Sequence, residues 1–191
     1  MTARFVELSF YVYFVLFLLV EFVFTRFRLG GGAKASKEDR RSILFFFVAP
    51  FVGMFLWMTL LNLHRVAANP SWPQWILGYA IGLLGFAVRI IAKRTLGRFF
   101  TVRLQLDKDH ELVDHGIYAA VRHPLYLGFI LEWMAPPLIL GSPVGFLFVT
   151  LPILTGVLAR IPREEALLVE GFGEKYRSYM GRTKRLIPGV W

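Results

Sequence analysis

Apolar residues gather in long blocks along this chain, and polar residues fill the gaps. Phe5 to Phe24 reads FVELSFYVYFVLFLLVEFVF, Ile43 to Leu63 reads ILFFFVAPFVGMFLWMTLLNL, and Trp75 to Ile91 reads WILGYAIGLLGFAVRII. About 20 predominantly apolar residues cross a bilayer, so each block predicts a transmembrane helix. Two shorter blocks follow, Leu125 to Leu140 and Val144 to Ala159, joined by GSPVG at Gly141 to Gly145. So brief a link predicts a helical hairpin. Each arm has roughly 16 residues, short for a complete crossing, so the other helices are expected to shield the pair in part. The pattern is that of an all-α, polytopic membrane protein with about five spans. The first block is too long for a signal peptide, and no small-residue cleavage site precedes the charged segment after it.

The polar segments divide the chain further. Residues 97 to 122 mix both signs of charge, lack helical periodicity and offer a hairpin turn at Asp107 to Asp109. After Ile161 comes PREEALLVEGFGEKYRSYMGRT, in which Ala166, Leu167, Val169 and Phe172, then Tyr176 and Tyr179, line one face of a helix. Pro162 and Glu164 suit the first turn of that helix, and Gly171 and Gly173 mark a break in it. Residues 1–96 then carry three spans, and residues 97–191 carry a loop, the hairpin and a C-terminal helix.

Composition agrees with a membrane chain: 56% of residues are hydrophobic and the mean hydropathy is +0.55. The net charge of +9 would suit nucleic acid, but its distribution argues against that partner. Lys and Arg crowd the segments after the first and third blocks and the tail, while only Arg65 lies between the second and third blocks and only Arg4 precedes the first. This asymmetry places the N-terminus outside and the C-terminus in the cytosol, which requires an odd number of crossings. Cysteine is absent. That excludes disulfides, a thiol nucleophile and thiolate metal ligands.

Three polar groups on the expected cytosolic side are candidates for chemistry. HELVDH, from His110 to His115, has two histidines five apart. Zinc proteases place them four apart; at about 100° per residue the five-residue spacing turns the rings about 140° from each other, so a zinc site is rejected. RHPLY, from Arg122 to Tyr126, is either a helix start anchored at the interface, with Pro124 in the first turn, or part of a site that also holds Tyr118. ARIPREEALL offers Arg160, Glu164 and Glu165, either as snorkelling and helix-dipole residues or as site residues. Their convergence on one side favours a shared pocket. Glu21, Arg89 and Glu132 lie within spans and are read as a structural network or as part of an acceptor site.

HELVDHGIYAAVRHPLYLG, a hydrophobic hairpin, and then ARIPREEALLVEGFGEKYRSY together resemble the isoprenylcysteine carboxyl methyltransferase family, from Gly97 to the C-terminus. The five-span count is similar to that of its short prokaryotic members, which implies a prokaryotic inner membrane. The resemblance implies S-adenosylmethionine as cofactor, in a cytosolic pocket. Gln105, His110, Glu111, Leu112 and Val113 would line its first wall, followed by Tyr118. His123, Pro124, Leu125 and Tyr126 would form the second wall, and Glu164 would close the pocket. Arg160 would hold the substrate, a lipophilic methyl acceptor entering from among the membrane lipids, and would be the catalytic residue. No metal is implied. The expected reaction is carboxyl O-methylation of an isoprenylcysteine-like acceptor. Phospholipids or other small hydrophobic acceptors stay open, as does a nicotinamide-dependent membrane reductase, since sterol reductases have a similar C-terminal hairpin. A non-enzymatic scaffold would bind neither cofactor.

Overall fold

A computed structural model describes residues 3–26, 37–63, 69–100 and 111–189. Every extended element among them is helical. Helix α1 spans Ala3–Arg26, α2 Lys37–Asn62 and α3 Trp72–Leu96. Two short 3-10 turns follow, Gly97–Phe99 and Gly116–Ala119, before α4 at Pro124–Ile139. A short α5, Pro143–Gly145, runs through a π-helical turn, Phe146–Thr150, into α6, Leu151–Phe172, and α7 spans Glu174–Arg182. Among the described residues three stretches are long and apolar enough to cross a membrane: Arg4–Phe22, Trp72–Phe99 and Pro143–Phe172. Helix α4 has 16 residues, which at about 1.5 Å each reach about 24 Å, less than the roughly 30 Å of a hydrocarbon core.

The blocks of apolar sequence become helices whose outward faces stay apolar. In α1 the buried positions are Val6, Phe10, Tyr13 and Phe17, while Leu8, Tyr11, Val12, Val15, Leu16 and Leu19 are exposed on the other face. A helix apolar all round is at home in lipid. The buried face meets α4, where Phe17 sits edge-on to Trp133 at 4.7 Å and the Tyr13 hydroxyl donates to the Glu132 carbonyl at 2.8 Å.

The hairpin is the centre of the bundle. Against α4, α3 turns Gly78, Gly82 and Gly85, spaced four and three residues apart, so that the backbones meet closely. A Cβ on Gly128 of α4 would stand 2.7 Å from the Gly85 carbonyl oxygen and 2.5 Å from Arg89 Cγ. Small residues at this spacing are how membrane helices gain packing where lipid supplies no hydrophobic drive. At the tip of the hairpin Gly141 takes a positive φ of 59°, and the Ser142 hydroxyl accepts from the Trp57 indole of α2 at 3.1 Å. This is the tight turn expected from GSPVG.

One boundary differs from the sequence reading. Pro162 was expected in the first turn of a separate C-terminal helix, but it lies inside α6, which continues unbroken from Leu151 to Phe172. The stop comes at Gly173, with φ 56°, where its N–H closes on the Val169 carbonyl. A helix tolerates an interior proline where its neighbours hold the surrounding turns, and the next residues of α6 are tied down by ionic contacts. The buried stripe of α6 runs Ile153, Val157, Arg160, Ile161, Glu165. Apolar at first, it turns ionic at Arg160 without leaving the same face. The hairpin expected at Asp107 to Asp109 lies outside the described residues.

Candidate functional site

The site forms where α4 begins, α6 turns ionic and the chain returns after α7. His123 is the N-cap of α4 and Pro124 its first residue, as RHPLY suggested; proline's fixed φ suits that position. Residues 121–123 do not rest on α4 alone. Val121 bridges Lys184 in parallel fashion, the Arg122 N–H donates to the Lys184 carbonyl at 2.7 Å, and the His123 N–H donates to the Arg185 carbonyl at 3.0 Å. The C-terminal segment is thereby laid along the entry to α4. On the other side the Tyr179 hydroxyl of α7 donates to the Tyr118 carbonyl at 2.6 Å.

Two adjacent glutamates organise the side chains. Glu164 accepts from the Tyr126 hydroxyl, which in turn accepts from Arg160 Nε at 2.7 Å. Glu165 accepts from Arg122 Nε at 2.9 Å and from Arg185 Nε and Nη2 at 3.0 and 2.7 Å. Between the glutamates lies the His123 ring, its Nδ1 3.7 Å from Glu164 Oε1 and its Nε2 3.4 Å from Glu165 Oε1. The ring stacks on Tyr126, centroids 5.7 Å apart. His123 and Arg160 are buried, and the Glu164 side chain keeps 27% exposure.

A neutral imidazole has one N–H and can donate to only one carboxylate; the doubly protonated ring can face both. Burial opposes that charge, but Glu164 and Glu165 outweigh it and hold the His123 pKa above its ordinary value. The sign of the pH effect follows. The stabilisation is complete below the unfolded value of about 6.5 and is lost as pH rises through the higher folded value. Melting temperature is therefore expected to fall as pH climbs above neutrality, and His123→Gln is expected to flatten that slope. An equal slope in both proteins would remove His123 from the account.

Several expected residues come together here: Tyr118, His123, Tyr126, Arg160 and Glu164, with Pro124 buried and Leu125 half-buried at the start of α4. Others stand elsewhere. Glu111 is exposed, its carboxylate 3.8 Å from Arg98, and Leu112 and Val113 are half-buried in the extended stretch leading to the second 3-10 turn. Gln105 and His110 lie outside the described residues. Arg122, whose motif was read as either an interfacial anchor or part of a site, points inward to Glu165, with its side chain 8% exposed. Arg185 had no signal beyond its place in a basic tail, because its partner lies 20 residues away on another element.

The two hydroxyls at the edge of the cluster have an unusual setting. Tyr118 and Tyr176 are buried, and neither hydroxyl oxygen has a hydrogen-bond partner among the described residues. Burial, with Glu164 close by, pushes the Tyr118 phenol pKa up, and burial with Glu165 and Glu164 does the same for Tyr176. Both phenols therefore stay protonated and able to donate. Among the described residues there is no cluster of metal-ligating side chains. Within the cluster, the partly exposed Glu164 carboxylate and the tyrosine rings are the groups that can meet an organic cation.

These features define a class: a polytopic helical membrane protein with a buried ionic and phenolic site at the mouth of a helical hairpin. Residues 78–170 match the model of the isoprenylcysteine carboxyl methyltransferase (ICMT) family, and over that stretch the chain resembles it. A protein-S-isoprenylcysteine O-methyltransferase of Schizosaccharomyces pombe is 38% identical over 107 residues, covering 55% of this chain and 45% of that one. A probable protein-S-isoprenylcysteine O-methyltransferase of Oryza sativa subsp. indica is 31% identical over 116 residues, covering 60% of this chain and 61% of that one. The matched region thus spans less than two thirds of either relative. Among solved structures, the eukaryotic intramembrane Ras methyltransferase ICMT superposes with a TM-score of 0.65 at 24% identity, covering 97% of this chain and 67% of that chain. That likeness concerns the fold.

Proposed function

We propose that the chain is an S-adenosylmethionine-dependent membrane methyltransferase that esterifies the carboxylate of a lipophilic, isoprenylcysteine-like acceptor. The observation that supports this reading best is the chain of contacts Arg160–Tyr126–Glu164, placed beside buried phenols that lack partners among the described residues. The donor set fits the cofactor. Glu164 and the rings of Tyr118 and Tyr126 suit its cationic sulfonium and ammonium groups, and the unpartnered hydroxyl of Tyr118 suits its polar atoms. Gln105, His110, Glu111, Leu112, Val113, His123, Pro124 and Leu125 complete the proposed pocket. When bound, the cofactor supplies an electrophilic methyl group on sulfur.

The chain's own part is binding and alignment. A carboxylate acceptor is already ionised at neutral pH, so no side chain need take its proton. Arg160 would grip the acceptor carboxylate with its terminal nitrogens in the bidentate geometry that guanidinium favours. Tyr126, accepting from Nε, holds the plane of that fork. Burial of Arg160 in α6 keeps water from the acceptor, and alignment of this kind is worth up to roughly 7–11 kcal/mol of barrier. The acceptor enters laterally from the lipid, the site faces the cytosol, and the N-terminus lies on the opposite side, in a prokaryotic inner membrane.

The test is calorimetry in detergent. Wild type is expected to bind S-adenosylmethionine and not a nicotinamide dinucleotide, and Glu164→Ala is expected to lose the binding while remaining folded. Binding of the dinucleotide instead would favour a reductase. Binding of neither would leave a scaffold.

A further inference from the structure

Glu165 is buried, next to the residue assigned to the cofactor, yet it faces three other groups. Its two oxygens take Arg122, Arg185 and His123. Those partners come from three places: the loop before α4, the segment after α7 and the N-cap of α4. Arg122 also donates to the carbonyls of Met180 and Thr183. One carboxylate on α6 therefore fixes the loop of residues 121–123 and the tail of residues 183–186 to the same point. It also fixes the ring of His123. With Nε2 turned toward Glu165, Nδ1 is left facing Glu164.

We propose that Glu165 is a positioning residue: by holding His123 from behind together with Arg122 and Arg185, it sets the orientation of the ring and of Glu164 for the cofactor. The proposal rests on the functional reading above. Two carboxylates with the imidazole between them cannot be equivalent. Glu164 has its other oxygen on Tyr126 and is partly exposed, whereas Glu165 has an arginine on each oxygen and His123 beside Oε1. The first is arranged to meet a ligand and the second to hold the first in place. The groups that meet the His123 ring are Glu164 and Glu165 of α6 and Tyr126 of α4, with Arg122 of the loop and Arg185 of the tail joined to it through Glu165.

The experiment uses the full chain in detergent with two variants, Glu165→Gln and Arg185→Gln. The first reading is the titration of His123 by NMR with labelled histidine, assigned by its loss in His123→Gln. The second is S-adenosylmethionine affinity by calorimetry. Glu165→Gln keeps the shape but removes one of the two charges on the ring, so the His123 midpoint is expected to move to lower pH. Cofactor affinity is expected to fall about tenfold, the size of one lost charged hydrogen bond. Arg185→Gln removes a competing cation and is expected to move the midpoint the other way. A purely structural Glu165 would lower the melting temperature and leave the midpoint and affinity unmoved; that result overturns the proposal. If Glu165→Gln does not fold, the Arg185→Gln midpoint decides, and no shift there overturns it too. Failure of the wild type to bind the cofactor would sink the functional reading, while the NMR arm would still report whether Glu165 holds the ring.

Discussion

Arg160→Lys is expected to lose methyl transfer by about 100-fold in kcat, the cost of misplacing a reacting group by about 1 Å, while S-adenosylmethionine binds nearly as before. Lysine keeps the positive charge. It has no planar fork to grip a carboxylate with two parallel bonds, and no Nε to donate to Tyr126. The Tyr126–Glu164 contact does not pass through the terminal nitrogens of Arg160, so the cofactor side of the pocket should survive. The measurement is paired: calorimetric affinity for the cofactor and single-turnover transfer to the acceptor. Full activity in Arg160→Lys would show that the acceptor is not held by a guanidinium clamp. Loss of cofactor binding in parallel would show that Arg160 belongs to the other half of the pocket.

The second large effect concerns stability. Arg89 of α3 bonds both Glu21 of α1 and Glu132 of α4, and its guanidinium lies over the Phe129 ring at 5.2 Å. The Glu132 side chain is fully buried, and its Oε1 has no hydrogen-bond partner among the described residues. One cation thus joins three helices inside the bundle. Arg89→Met would leave two carboxylates without their counter-ion in a dry setting. Breaking a buried pair in this way costs about 3–5 kcal/mol. The melting temperature in detergent is expected to drop sharply. Adding Glu21→Gln and Glu132→Gln to Arg89→Met is expected to restore most of it, since the penalty lies in the uncompensated charge. If the triple variant melts as low as the single one, the arginine acts through packing, through its stem and its contact with Phe129, and not as a counter-ion.

Much of the architecture was legible because lipid makes it so. In a bilayer every backbone group must be satisfied within its own segment, which turns an apolar block into a helix with little competition. The blocks at Phe5, Ile43, Trp75 and Leu125 became α1, α2, α3 and α4 with modest changes at their ends. Pro162 misled because a proline reads as a boundary, whereas inside α6 the ionic cluster that follows it holds the helix together. The glycines of α3 were visible but passed over: Gly78, Gly82 and Gly85 carry the small-residue spacing of a close helix crossing.

The candidate site was legible in part. His123, Tyr126, Arg160 and Glu164 stood in short motifs, where neighbours in sequence remain neighbours in space on one helical turn. Glu165 and Arg122 stood in the same motifs, but nothing local distinguishes a residue that meets a ligand from one that holds it. Arg185 was out of reach, since its contact depends on the chain turning back after α7. The triad of Glu21, Arg89 and Glu132 was suspected because charge inside a span needs a partner; which pairs form depended on how α1 and α3 meet α4.

The most direct test of the central claim is transfer of a labelled methyl group from S-adenosylmethionine, by the purified chain, to an S-prenylated cysteine whose carboxylate is free. The account predicts label in product that base releases as methanol, as a methyl ester must, and none when the same acceptor is supplied already esterified. Label in a phospholipid or a thiol, with none in the prenylcysteine, would contradict it.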